Sequence, residues 1–310
     1  MNYLYRALCV IAFVLTLLWG VGIICTDRWF WSQWLAWIPT VVMLGVLFLV
    51  AVVSFIANRK LMAVLFAGVS TLLFIRYVFF ENALLHNSHS PHGLNIVGWT
   101  MSHPDKRGTA AESAEEIIRL NGDITLLTHG WFVRGEHSLK EWLGPGGRRV
   151  INGPFTVLTK LPVVEVRTLV ASDAIYISSF TFDANKGFEK PLVLWAIDLP
   201  SDLLIPRAET AKRVTRLLAQ LDSSPPDIVM GDFNMTRNSF AIKSMFPMLV
   251  DASDTGGNGL LSTFPLDVPL YHIDHTLLDQ KLVCHDYSII NPHIGRHRIQ
   301  KCVVAPEANE

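Results

Sequence analysis

The sequence predicts an α/β protein held at a membrane: hydrophobic helices at the N-terminus, then one water-soluble domain of packed sheets with helices outside. Three observations carry that expectation. Half of the 310 residues are hydrophobic, too many for an ordinary soluble enzyme unless the excess is concentrated, and it is concentrated in the first 80 positions. From residue 94 the pattern changes to short apolar runs alternating with amphipathic stretches, as strands and helices require. Charge divides the same way, since residues 81–310 carry 21 of the 26 Lys and Arg and 26 of the 27 acidic residues.

Taking the elements in order, residues 7–25 run 19 positions without a charge and residues 34–57 run 24. Either is long enough for a hydrocarbon layer of roughly 30 Å at about 1.5 Å per helical residue. A third span is expected over 61–80, where Arg76 lies close enough to the helix end for its long side chain to reach the headgroups. A cleaved signal peptide is the competing reading; no small-residue cleavage site follows the first run, and two more runs come after it. Orientation follows from the cationic residues of the short loops, which stay on the cytoplasmic side. Arg6 precedes the first span, and Arg59 with Lys60 separates the second from the third. Asp27 and Arg28 cancel in the intervening loop, where Trp29, Trp31 and Trp34 suit a membrane interface. The N-terminus is therefore expected inside, and everything after residue 80 on the periplasmic or extracellular side.

Residues 81–93 have the composition of a linker; His86, His89 and His92 within it lack partner ligands at a defined spacing. Strands are expected at 94–99, 124–127, 155–158, 163–170, 174–182, 192–199 and 227–230, and helices around 113–120 and 207–221. The strands from 155 to 199 follow one another without a helix between them and read as antiparallel. The formal charge of −5 on residues 81–310 speaks against a sequence-indifferent nucleic-acid binder. Cys9 and Cys25 lie in the first span as apolar filler. Cys284 and Cys302 lie in two strand-like runs, and spacing alone does not say whether they meet in a disulfide.

The most informative segment is residues 224–236, where the apolar run around Ile228, Val229 and Met230 ends in Gly231-Asp232-Phe233-Asn234. Residues two apart on an extended chain share a face, so a carboxylate and an amide point together. Such a pair can activate a water and hold a phosphoryl oxygen; a strand-to-turn corner using Asp and Asn as turn formers is the plainer alternative. Tyr271-His272-Ile273-Asp274-His275 follows, then Ile294-Gly295-Arg296-His297. With Thr263-Phe264-Pro265 between them, these motifs resemble the endonuclease/exonuclease/phosphatase superfamily, and its membrane-anchored bacterial members in particular, across residues 94–305.

That resemblance implies a four-layer, DNase I-like fold, a two-sheet sandwich flanked by helices, and divalent-metal hydrolysis of phosphate esters at a bacterial cell membrane. It implies that Asp232 orients or deprotonates the attacking water, that Asn234 binds the phosphoryl group, and that His297 stabilises the developing charge while Asp274 fixes its tautomer. His275, next to Asp274 on an extended strand, points the other way and reads as structural. The other half of the site departs from the family. Thr100 stands where the first strand ends in Asn, His129 where the second ends in Glu, Asp198 where a central strand carries His, and Arg296 where Asp precedes the last histidine. Mg²⁺ favours hard oxygen ligands, so with His129 and Asp232 as ligands the expected metal is Mg²⁺ or Mn²⁺, with Zn²⁺ a further option. Thr100, Asp198 and Arg296 are then expected to contact substrate, Arg296 adding positive charge.

Three functions fit these residues. One is a membrane-anchored phosphoesterase acting on a phosphodiester or phosphomonoester, carried by a lipid or a nucleotide, with nucleic acid disfavoured by charge. Another is a catalytically silent relative that binds a phosphorylated ligand or a partner protein. The last is an unrelated structural or assembly protein.

Overall fold

The structure, a computed structural model, describes residues 2–85, 92–101, 109–184 and 187–307. His86 and His89 lie outside the described residues. Helix α1 (Asn2–Cys25) is followed by the short α2 (Phe30–Ala36), then α3 (Thr40–Ile56) and α4 (Lys60–Arg76), which runs on into a π turn at Tyr77–Glu81. By length and hydropathy two helices, Tyr3–Cys25 and Lys60–Glu81, can cross a membrane; α2 and α3, bent by 64°, make a third if the pair is one span. The uninterrupted span expected over 34–57 is thus broken between Ala36 and Thr40. Pro39 explains the break, because it lacks a helix donor and disfavours helical geometry in Ile38 before it. Leu47, Val50, Phe66 and Leu73 pack with Ala12 and Trp19 between the helices, whereas Phe13, Phe48, Phe55 and Leu72 face outward. Apolar side chains turned outward over this much surface are what a lipid environment accommodates.

The remaining elements are β1 (Leu94–Thr100), α5 (Ala110–Leu120), β2 (Ile124–Thr128), α6 (His137–Leu143), β3 (Arg148–Asn152), β4 (Phe155–Thr159), β5 (Val163–Ser172), β6 (Ile175–Phe182) and β7 (Leu192–Asp198). There follow α7 (Arg207–Leu218), β8 (Ile228–Asp232), α8 (Phe240–Met245), β9 (Leu249–Asp251), α9 (Ala252–Gly256), β10 (Gly257–Asn258), β11 (Asp274–Asp279), β12 (Leu282–Ile290) and β13 (Ile299–Pro306). One sheet has the order β10-β12-β13-β1-β2-β4-β3 and the other β5-β6-β7-β8-β11-β9. Their inner faces meet through Ile96, Leu126, Phe155, Phe180, Leu194 and Met230. Ala211 and Val214 of α7, with Ile242 and Met245 of α8, cover the outside of the second sheet, and Ala114, Ile117 and Leu139 cover the first. Helix, sheet, sheet, helix is the layering expected of a sandwich whose strands must bury both faces.

Local chemistry sets the element ends. Thr109 caps α5, accepting from Glu112 N at 3.1 Å while Glu112 Oε2 accepts from Thr109 N at 2.6 Å, a capping box. Strands β12 and β13 are neighbours, but Cys284 lies opposite Val304 and Cys302 opposite Tyr287, and both thiols are free. Within the stretch expected to be a linker, Ala83 forms a β-bridge with Gly259, and Asn82 Oδ1 accepts from Leu261 N at 2.9 Å.

Candidate active site

Five strand ends converge. In the first sheet β1 and β2 run parallel and finish with Thr100 opposite Thr128. In the second, β7 and β8 run parallel and finish with Asp198 opposite Asp232, while antiparallel β11 begins with Asp274 opposite Asp232. Three carboxylates therefore stand in a row on adjacent strands, which lie roughly 4.8 Å apart. Gly231 permits this. Its φ is +146°, and a Cβ there would sit 2.0 Å from the Ile197 carbonyl oxygen, so only glycine lets β8 pass β7 and still deliver Asp232. Asn234 then adopts a left-handed φ of +51°, which asparagine tolerates, and turns its backbone N–H onto Asp232 Oδ1 at 3.0 Å. Its side-chain Nδ2 donates to Leu199 O at 2.9 Å, leaving the second amide hydrogen for a ligand.

Asp274 joins the two sheets. Its Oδ1 accepts from Thr100 Oγ1 at 2.5 Å and its Oδ2 from His297 Nδ1 at 2.9 Å. Thr263 Oγ1 accepts from the N–H groups of Ile273 and Asp274, both at 3.2 Å, holding the start of β11 in place, and the Phe264 ring lies 4.9 Å from that of His297. Burial pushes the Asp274 carboxyl up, but the His297 charge and its hydrogen bond, with Thr100 and Thr263, hold it below the usual range. Burial likewise opposes charge on His297, yet Asp274 and then Asp232 outweigh it and raise the imidazole to about 9. Asp232 goes the other way: burial first, then the Asp274 and Asp198 carboxylates, lift it well above the ordinary carboxylate range, against the pull of His297.

Thr100, His129, Asp198, Asp232, Asn234, Asp274 and His297 all stand at this end of the sandwich. Three of them are partnered differently from expectation. His129, with a left-handed φ of +58°, places Nε2 3.0 Å from Asp198 Oδ2, and that hydrogen bond raises its pKa. The expected metal ligand and the expected substrate contact thus engage each other. Thr100, expected to touch substrate, donates to Asp274 and so lies one shell behind the cleft. Arg296 is exposed beside His297, and Asp198 takes His129 rather than Arg296 as its partner. Arg207 is a participant the sequence concealed. It is fully buried under the loop that follows Asp198, donating to Pro200 O at 2.6 Å and Ser201 O at 3.3 Å, and its charge is felt by Asp232. It opens the helix expected over 207–221, where nothing in the local pattern marked it as buried; its nearest legible sign is its place nine residues after Asp198.

Among the described residues, two groups of ligand-type side chains bring donor atoms within 4.8 Å of one another: Asp232, Asp274, His297 and Asp251, His272, His275. In the second, His275 Nδ1 lies 2.9 Å from Asp251 Oδ2 and Nε2 2.9 Å from Met235 O, and the ring stacks on His272 with rings 4.6 Å apart and 17° from parallel. Nearly parallel rings do not aim their nitrogens at a common point, and both His275 nitrogens are engaged, so this group is a buried hydrogen-bond network. In the first group the crowded carboxylates, with Asp232 driven upward, are chemistry that a divalent cation relieves.

No family model matches the sequence, and no curated protein matches it significantly. Solved structures match the fold. An endonuclease/exonuclease/phosphatase family protein from Bacteroides thetaiotaomicron superposes with a TM-score of 0.51 at 16% identity, over 72% of this chain and all of that one. The mannosyl-6-phosphatase Bt3783 of the same organism gives 0.52 at 16%, over 68% and 99%, and an AP endonuclease from Archaeoglobus fulgidus 0.51 at 11%, over 68% and 98%. The chain is similar to these in fold, and its sandwich is of the DNase I-like kind.

Proposed function

We propose that this chain is a membrane-held hydrolase of the endonuclease/exonuclease/phosphatase type that cleaves phosphate esters, its domain lying on the periplasmic or extracellular side. One observation carries the reading: Asp232, Asn234 and the Asp274–His297 pair converge at one end of the sandwich. Phosphoryl transfer asks for a positioned water, a base and fixed positive charge where negative charge develops. Asp232 is the base. Burial and its two carboxylate neighbours raise its proton affinity well above that of an ordinary carboxylate, which makes it the stronger base. His297, kept protonated by Asp274 on its Nδ1 side, offers Nε2 to the phosphoryl or leaving oxygen. As the water oxygen bonds to phosphorus and the ester P–O bond breaks, the water proton passes to Asp232 and the leaving oxygen takes one from His297. Asn234 orients the phosphoryl group through its remaining amide hydrogen. A divalent ion held at Asp232, with Asp274 beside it, would supply further stabilisation of charge on phosphoryl oxygen.

A second reading has its own support. The His129–Asp198 pair occupies the place where the resemblance implies a metal carboxylate, and an imidazolium there supplies a positive charge without an ion. A catalytically silent protein that binds phosphorylated ligands would use the same contacts. Full-length protein in detergent, assayed on bis-p-nitrophenyl phosphate with Mg²⁺, Mn²⁺ and Zn²⁺ in turn, separates the two. Hydrolysis is expected, and Asp232→Ala or His297→Ala should each reduce kcat by about a hundredfold or more. Absence of wild-type turnover with every ion would leave the silent reading standing. Turnover indifferent to both substitutions would remove the mechanism.

A further inference from the structure

The N-terminal helices do not merely tether the domain, for they dock on the same loops that carry the site. After β7, the loop from Asp198 to Arg207 is held by Gln33 of α2, whose Nε2 donates to Leu203 O at 2.7 Å and whose Oε1 accepts from Arg207 N at 2.8 Å. After β8, Arg237 donates to Phe80 O and Glu81 O, both at 3.1 Å. Buried Asp27, between α1 and α2, accepts from Ser239 Oγ and from Ala241 N, the latter at 3.2 Å. Before β11, the Tyr271 ring lies 4.7 Å from that of Trp37. Each of the strands bearing Asp198, Asp232 and Asp274 is thus tied to the helix ends within a few residues of its carboxylate. The catalytic end of the sandwich is turned toward the helices.

Large apolar side chains are exposed on the loops at that end: Leu204 on the loop after β7, Trp131 two residues after His129, and Val268 on the segment whose Leu266 N–H donates to Arg296 O at 2.8 Å. Trp29, Trp31 and Trp34 are exposed on the helix side, and aromatic residues of this kind favour the headgroup level. Between helix ends and domain lies a small cavity of about 110 Å³, apolar along Gly22, Ile23 and Ile38 and polar along Arg76, Glu81 and Arg237.

We infer that the end of the sandwich bearing the site faces the bilayer surface and takes a phosphate ester carried by a membrane lipid, the acyl chains staying in the leaflet while the headgroup phosphate reaches Asp232 and His297. This rests on the hydrolase reading above. Water adds to the lipid phosphorus, the P–O bond to one alcohol breaks, and that alcohol leaves with a proton. The test uses full-length protein in nanodiscs of phosphatidylglycerol, phosphatidylethanolamine and phosphatidic acid, with lipid products followed by mass spectrometry. Bis-p-nitrophenyl phosphate and deacylated glycerophosphoglycerol are assayed alongside as water-soluble esters. Lipid turnover is expected to exceed that of the deacylated ester, and Leu204→Glu or Val268→Glu to lower it about tenfold while leaving bis-p-nitrophenyl phosphate within about twofold, since apolar burial at the interface is lost without change at the cleft. Soluble-ester hydrolysis with the lipids untouched, equal turnover of lipid and deacylated ester, or equal slowing of lipid and soluble ester by the rim substitutions would each overturn the inference and leave the hydrolase standing. No turnover of any ester would sink the hydrolase reading and the lipid assignment with it.

Discussion

Asp274 uses both of its oxygens inside the protein, one on a threonine of the opposite sheet and one on His297, and this sets the charge of the imidazole that faces the cleft. The pH dependence follows from the directions of the shifts. His297 has a folded-state pKa raised to about 9, so the stability it contributes is full below its unfolded value and is lost as pH rises through 9. Asp274 is lowered, so its contribution is present above its unfolded value and is lost as pH falls through the folded one. Asp232 is raised and therefore disfavours the folded state once ionised, a cost accepted where a base is wanted. Activity should consequently fall on the alkaline side near pH 9, and in Asp274→Asn that limb should move to lower pH. A kcat/KM profile of both proteins measures it; an unmoved limb would detach His297 from the chemistry. At Gly231 the argument is steric. Gly231→Ala should destabilise the protein by about 3 kcal/mol, from overpacking and backbone strain together, read as a lowered midpoint in thermal unfolding.

At the scale of elements, α2 behaves as a wedge rather than as the start of a long span. Pro39 ends it, Gln33 pins it to Leu203 and Arg207, and Arg28 lays its guanidinium 4.6 Å from the Phe240 ring centre. Replacing Gln33 with Ala would leave the Arg207 N–H and the Leu203 carbonyl without their partner in a buried setting, at a cost of about 1–3 kcal/mol. Loss of that support should also loosen the loop after Asp198, seen as faster hydrogen exchange at residues 199–207. Exchange there unchanged from wild type would mean that the loop is held by Arg207 alone. Much of the element pattern was legible beforehand: β1, β2, β7 and β8 announced themselves as apolar runs, and the Asp-Phe-Asn and Ile-Asp-His motifs named Asp232, Asn234 and Asp274 because their side chains fall at strand ends. The broken span was legible too, in Pro39, but a continuous hydrophobic run masked it. What the sequence withheld are pairings across the sandwich: His129 with Asp198, Thr100 with Asp274, and buried Arg207 beneath them. Such partners depend on which strands become neighbours, and local pattern does not contain that.

For the whole molecule, two physically different halves share one interface. The helices expose large apolar side chains and the sandwich buries its own, so each half is stable in a different solvent, while the polar contacts at Asp27, Gln33, Asn82 and Arg237 align them. Asp27→Ala should leave Ser239 Oγ and Ala241 N without an acceptor and lower the unfolding midpoint of the detergent-solubilised protein, a loss of about 1–3 kcal/mol. Asp27→Asn should recover part of it by restoring one acceptor. Equal midpoints for all three proteins would show that the halves are joined by apolar contact alone.

The Asp27–Ser239 contact has a consequence for how the chain comes into being. Its two ends are 212 positions apart, so during synthesis the first helix leaves the ribosome long before the hydroxyl that will satisfy it. Until then the Asp27 side chain has no partner from the domain. Formation of the helices and their closure onto the domain are therefore successive acts of one assembly, and a chain cut short before position 239 leaves helices whose polar cap never arrives.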